Sequence, residues 1–289
     1  MREGWEPVEY MTHEIGSDGD FRVDNLRQED IVPFMQLAAG EGWLCERWEF
    51  DFLLAQFPEG GLVVRATGIP VAFVTSIKYG TSGWIGNLIV APGYRGRGLG
   101  TFLMKRALAA LAGRGARTFW LTASEEGKPI YERLGFTVID GVKRWRGEGK
   151  GKGAMRGITA SIPEIVALDA AGWGDCRKSL LSAILPRSEP ICTVDGFLFI
   201  QHWPAGFQLG PWSAVSLSAA VACLDRALAR IGAGTLVFLD VPANNVTAAA
   251  ILSERGFRVT GRTTLMYAGE KPEYDPGAVF ALASMGSMG

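Results

Sequence analysis

The sequence predicts a mixed α+β fold in two tandem copies, and three observations carry that expectation. From Phe21 onward, short apolar runs of strand length alternate with stretches of helical periodicity. The second half repeats the order of the first. The blocks YERLGF (131–136) and LSERGF (252–257) hold the same place in each half, as an internal duplication requires. A length of 289 residues leaves room for two domains.

In the first copy, Leu62–Ala66 and Pro70–Ile77 read as strands of a hairpin turning at Thr67-Gly68. Trp84–Val90 is a further strand, ended by Ala91-Pro92-Gly93. A helix follows, because Leu99, Leu103, Ala107, Leu108 and Leu111 recur on one face with Lys105 and Arg106 outside it. Gly113 and Gly115 stop the helix. Arg117–Ala123 is rich in β-branched and aromatic residues and reads as a strand. A short helix then runs to Leu134, Gly135 caps it, and Phe136 opens a last strand. In the second copy, Ile191–Val194 and Phe197–His202 form a hairpin around Asp195-Gly196. A helix spans about 214–230, Thr235–Asp240 is a strand, a helix starts at Asn245 and stops at Gly256, and Phe257 starts the next strand. The glycine-rich, basic stretch 141–157 reads as a solvated linker with a strand end at Lys143–Arg146. The domains are therefore placed at 21–147 and 158–289, joined by 148–157, and the SMGSMG tail is expected to fray.

Composition narrows the class. Hydrophobic residues make up 48% and charged ones 20%, a globular balance. A net charge of -1 gives no reason to expect nucleic acid or an anionic membrane as partner. Cys45, Cys176, Cys192 and Cys223 are too scattered for a zinc site or disulfide framework and suggest reduced thiols in the cytoplasm. With only His13 and His202, a multi-histidine metal centre is not expected. The acidic first twenty residues lack the apolar core of a signal peptide. No run reaches the roughly 18 apolar residues that a membrane span needs. Oligomeric state is left open, a homodimer included.

The informative segment is Arg95-Gly96-Arg97-Gly98-Leu99-Gly100, between a strand and a helix. Glycines let backbone amides approach a ligand closely and give access to positive φ. At the start of a helix, those amides and the positive dipole end suit a diphosphate, and Arg95 and Arg97 add fixed charge. A Walker loop would need Gly-Lys followed by Ser or Thr, but Gly100 is followed by Thr101-Phe102. The dinucleotide spacing G-x-G-x-x-G also fails, since the sixth place from Gly96 is Thr101 and from Gly98 is Leu103.

This segment resembles the acyl-CoA loop of the GNAT acetyltransferase superfamily, whose signature is Arg or Gln, two residues, Gly, one residue, then Gly or Ala. Arg95, Gly98 and Gly100 fill those places. Leu88-Ile89-Val90-x-Pro92 resembles that family's fourth strand, and Tyr131-x-x-x-Gly135-Phe136 its tyrosine-bearing segment. The whole chain is similar to tandem members in which a catalytic domain precedes a degenerate one. The resemblance implies a three-layer α/β/α fold with a mixed, mostly antiparallel sheet in each copy. It implies acetyl-CoA as cosubstrate, no metal, and a small-molecule or peptide amine as acceptor. It places cofactor contacts at Leu88, Ile89, Val90, Arg95, Gly96, Arg97, Gly98, Leu99, Gly100 and Ser124. A backbone N–H in Leu88–Val90 would polarise the thioester carbonyl, and Tyr131 would protonate the leaving thiolate.

The sequence departs from the family in two ways. Ser124 stands where members often carry Asn, and Trp84–Val90 contains no acidic base. A water relay, Glu41 or Glu46 is then left to deprotonate the amine, while Trp43 and Trp84 are candidates to line its pocket. In the second copy, Leu252 takes the tyrosine's place, and Gly210-Pro211-Trp212-Ser213-Ala214 is expected where the phosphate loop should be. That stretch lacks an arginine, and its proline removes one amide donor, so the second copy should not hold CoA. Trp203, Gln208, Trp212 and Asp240 are its candidate contributions to an acceptor cleft. Two other readings compete with the enzyme: a non-catalytic acyl-CoA-binding or sensing module, and a purely structural scaffold. Tyr131 favours the enzyme.

Overall fold

The computed structural model describes residues 21–151, 153 and 160–289. The acidic stretch 1–20, with His13, and much of the 148–157 linker lie outside them. The chain divides into two compact units. One comprises the residues up to Leu121 together with Gly286–Met288, and the other comprises Thr122–Met285 with Gly289.

In the first unit the strand order is β1 (Phe21–Asn25), β2 (Leu62–Ala66), β3 (Ile69–Lys78), β4 (Ser82–Val90) and the start of β5 (Thr118–Ala123). Every neighbouring pair is antiparallel except β4 and β5. The run Val71–Ile77 is buried on both faces, so Val71–Val74 reads as continuously apolar, and the buried hydroxyls of Thr75 and Ser76 meet Gly86 O and Gly60 O. Helices α1 (Ile31–Gly40) and α2 (Arg47–Gln56) supply Phe34, Ala38 and Phe50 to a core with Val63, Phe73 and Ile89. Helix α3 (Leu99–Gly113) packs against β3 and β4, where Leu111 covers Gly83. The predicted hairpin, fourth strand and long helix all appear within a few residues of their expected bounds.

The second unit contains α4 (Lys128–Arg133), β6 (Thr137–Glu148), α5 (Ile162–Trp173) and α6 (Lys178–Ile184). Next come β7 (Ser188–Thr193), β8 (Gly196–Trp203), β9 (Gly206–Ala214), α7 (Leu217–Arg230), β10 (Leu236–Pro242), α8 (Val246–Glu254), β11 (Arg258–Gly269) and β12 (Val279–Ala281). Its strands run in the order β11-β6-β10-β9-β8-β7, with β12 on β9. The core joins Trp145, Leu198 and Trp212 of the sheet to Ala220, Leu224 and Leu228 of α7 and Leu252 of α8.

Three expectations need correcting. The stretch 141–148 is the body of β6, paired with β11 on one side and β10 on the other, so no linker begins before Glu148. Its glycines deceive as linker signals, because a Cβ at Gly147 would lie 2.6 Å from the Phe257 ring. Gly210–Ala214 is not a loop but the second half of β9. The tail is not frayed: Ser287 is 6% exposed and Met288 1%.

Candidate functional site

The geometry of interest in the first unit starts in β4. Thr75 pairs with Gly86 and Phe73 with Ile89, so Asn87 and Leu88 together face Val74 alone. This is a β-bulge, which leaves a peptide group outside the ladder. Asn87 adopts φ 56°, a conformation asparagine tolerates better than most residues. It is buried, and its Nδ2 donates to Thr75 Oγ1 at 2.9 Å. On the other side, the parallel ladder to β5 runs from Ser82↔Thr118 to Trp84↔Trp120 and ends there. Beyond Trp84 the two strands part, and the bulge lies within the parted stretch.

The chain then turns through Pro92–Tyr94 into α3. Gly96 and Gly98 hold φ of 77° and 80°, the left-handed region in which a side chain is strained. Gly98 is the N-cap of α3, and no side chain caps that end. The first intrahelical bond is Phe102 N–H to Gly98 O, which leaves the amides of Leu99, Gly100 and Thr101 to an external acceptor. At Gly100 a Cβ would come no nearer than 3.8 Å to Val90, so the protein itself does not require glycine there. Leu99 offers its amide only, because its side chain is 1% exposed in the core.

The two arginines lie along the loop. Arg95 Nε donates to Val90 O at 3.0 Å, and its Nη2 pairs with Glu41 Oε1. The guanidinium of Arg97 sits over the Tyr94 ring at 5.3 Å and donates to Gly93 O at 3.4 Å. Both side chains belong to the turn that leads into the open end of α3. Leu88 and Val90 are half-buried, whereas Ile89 is core.

Ser124 and Tyr131 lie in the second unit. Ser124 Oγ accepts Gly127 N–H at 3.1 Å and so opens the turn that leads into α4. Tyr131 stacks edge-on with Phe136 at 6.1 Å, and burial pushes its phenol up to about 12. The carboxylates considered as bases are already engaged. Glu41 holds Arg95, and Glu46 caps α2 in a reciprocal box with Glu49. Trp84 is core, and its Nε1 donates to Gly286 O at 3.4 Å; Trp43 is exposed.

Two features escaped the sequence reading. Asn87, the bulge former, was signalled only by Gly86-Asn87 interrupting an apolar strand. Glu49, 2% exposed on α2, carried no signal beyond a polar residue among aromatics. In the second unit the corresponding places are closed. Ser216 Oγ accepts Ala219 N–H at 3.2 Å and caps α7 with the chain's own oxygen. The β9–β10 ladder has the pairs Val237↔Phe207 and Phe238↔Gln208, after which β12 enters. It pairs Val279 with Ser213 and Ala281 with Trp212, while Leu282 N–H bonds Asp240 O at 2.8 Å. Asp240 itself is fully buried in a two-bond pair with Arg144, both at 2.8 Å. Gln208, Trp203 and Trp212 serve that interior through Asp240, Phe238 and Phe280 respectively. Among the described residues, no group of three or more His, Cys, Asp or Glu side chains is placed to hold a metal ion. No described helix is long and apolar enough to cross a membrane.

A bulged and parted fourth strand thus feeds a glycine turn into an uncapped helix. The GNAT acetyltransferase family model matches residues 25–136, and a second GNAT-domain model matches 165–281. The chain belongs to the GNAT family and carries two of its domains in tandem. It is 34% identical over 149 residues to an uncharacterized N-acetyltransferase of Methanocaldococcus jannaschii, a match covering 43% of this chain and 64% of that relative. It is 25% identical over 232 residues to the holothin acyltransferase of a Pseudoalteromonas species, covering 75% and 77%. A crystal structure of a protein assigned as an acetyltransferase from Pyrococcus horikoshii shares the fold across 97% of this chain and 100% of its own, with a TM-score of 0.83 at 21% identity.

Proposed function

We propose that the chain is an acetyl-CoA-dependent N-acetyltransferase acting on a primary amine, with the cofactor held by the first copy, 21–147. The observation that carries this reading is the open N-terminus of α3, glycine-turned and flanked by two arginines, at the end of a bulged strand. Bound acetyl-CoA would supply the acyl group: a C–N bond forms as the C–S bond breaks, and the proton lost by nitrogen ends on the departing thiol. The amides of Leu99, Gly100 and Thr101 receive the diphosphate, with Arg95 and Arg97 neutralising its charge. The peptide group freed at Asn87–Leu88 serves as the fixed donor to the thioester oxygen. Tyr131 takes its role from its place in the family motif. A phenol at about 12 stays protonated at neutral pH, while a thiol ionises near 8.5. Full transfer from Tyr131 to the thiolate is therefore uphill, and Tyr131 acts chiefly by donating a hydrogen bond to the developing sulfur charge. One relative is an acyltransferase by name, so acyl groups other than acetyl belong in the substrate panel.

Isothermal titration with CoA tests the assignment. The double variant Arg95→Glu, Gly98→Val should weaken binding by on the order of 10²-fold, the loss of a charge-assisted contact plus a strained turn. Unchanged affinity would mean the diphosphate binds elsewhere. Binding without thiol release across a broad amine panel would identify a sensing module instead.

A further inference from the structure

The turn at 286–288 packs inside the first unit, on the β4 flank. Tyr79 Oη donates to Met288 O at 2.7 Å, Ser287 Oγ donates to Glu49 Oε1 at 2.5 Å, and Trp84 Nε1 reaches Gly286 O. The fit against the strand is tight. A Cβ added to Gly86 would stand 2.2 Å from Gly286 O and 3.0 Å from Ser287 Cα. Gly86 is thus a glycine of close approach, required by the turn rather than by its own backbone.

The position of this turn has a chemical meaning, and it rests on the acyl-CoA reading above. A cofactor whose diphosphate lies at the start of α3 and whose thioester meets the bulge must run along Leu88–Val90. The nucleophile then approaches from the other side of the bulge, which is the Gly86 flank. That flank ends at Trp84, where the β4–β5 ladder closes, and the turn occupies its Gly86 end. A lysine or N-terminus within a polypeptide brings its flanking residues to the same place, where they would overlap the turn. An amine on a short stem does not.

We propose that residues 286–288 are a specificity-determining wall that restricts the acceptor to small-molecule amines and excludes peptide amines. The turn is pinned by its bonds with Tyr79, Glu49 and Trp84, which is what a fixed partition needs rather than a mobile cover.

The test compares initial rates of thiol release by the full chain on two panels. One holds small amines (spermidine, glucosamine, free amino acids and arylalkylamines), and the other holds ten-residue peptides with a free N-terminus or a single internal lysine. The expected result is a kcat/KM for the best small amine at least about tenfold above that for any peptide. A chain ending at Met285, and Gly86→Ala in the full chain as a milder displacement of the turn, should each raise the peptide rate relative to the small-amine rate. Peptides used as well as small amines by the full chain would overturn the proposal, as would unchanged discrimination in either folded variant. Should both variants fail to fold, the full-chain comparison decides alone. Titration with CoA in parallel separates the two levels. Intact CoA binding with a preference for peptides removes the wall and leaves the cofactor site, whereas absent CoA binding removes both.

Discussion

At the scale of single residues, burial displaces the ionisations of Glu49 and Tyr131 upward, with different consequences. Glu49 is pushed up from 4.5 to about 7, first by desolvation, against hydrogen bonds from Glu46 N–H and Ser287 that favour its charge. In the window between those values the native state binds a proton that the unfolded state has lost. Stability therefore falls as pH rises from about 4.5 to about 7, by up to about 3 kcal/mol, the cost of ionising the carboxyl in place. Glu49→Gln keeps an acceptor for Glu46 N–H and carries no charge. Its urea midpoint should stay flat between pH 5 and 7.5 while the parent's declines, and parallel curves would show that another group governs the slope. For Tyr131, the upward shift keeps the phenol protonated across the accessible range. The pH profile of kcat/KM should rise as the amine loses its proton and show no descending limb below about pH 10. Tyr131→Phe should lower kcat by roughly 10²-fold while leaving CoA affinity within about twofold. A loss confined to affinity would make it a packing residue.

At the scale of elements, β4 and the turn after it concentrate the candidate chemistry, and the sequence revealed the turn better than the strand. The turn was legible because positive φ before a helix start demands glycine, and Gly96 and Gly98 both hold it. The bulge was hidden, because register is a property of two strands and Val74 carries no mark of facing two residues. Asn87 is what stabilises that register, through its left-handed φ and its bond to Thr75. Asn87→Ala should cost about 2–4 kcal/mol in urea unfolding, adding left-handed strain to a lost buried hydrogen bond. Asn87→Gly recovers the backbone part and should be the milder change; the reverse order would mean the bulge does not depend on this side chain. The misreading of 141–148 as linker has a similar origin. Gly141 and Gly147 look like flexibility, yet Gly147 makes room for Phe257, some 110 residues later in sequence. Contacts of that range leave no local signature.

At the scale of the molecule, the duplicated pattern was legible, but the compact units do not follow it. The first repeat reads to residue 147, yet β6 pairs between β11 and β10 in the second unit, and 286–288 pack in the first. Period and motif report the history of a duplicated sequence, whereas strand exchange is decided by which edges find partners. Two GNAT domains invite the expectation of two cofactors, and the second unit argues against it on three counts. The α7 end that would receive a diphosphate is capped by Ser216, no arginine lies beside it in Val215–Leu217, and β12 fills the parting of β9 and β10 where a pantetheine arm would run. Opening that space means breaking the β12 ladder and exposing Phe280 and Ala281, which are 3% and 1% exposed. Those two side chains alone are worth several kcal/mol of burial, about 25 cal/mol per Å² of apolar surface, and a CoA deprived of charged partners does not recover it. Titration of the full chain should therefore give one CoA per chain, with a single transition that Arg95→Glu, Gly98→Val weakens as a whole. A second equivalent surviving that double variant would show that the wedge of β12 yields, and that the second copy retains a cofactor site of its own.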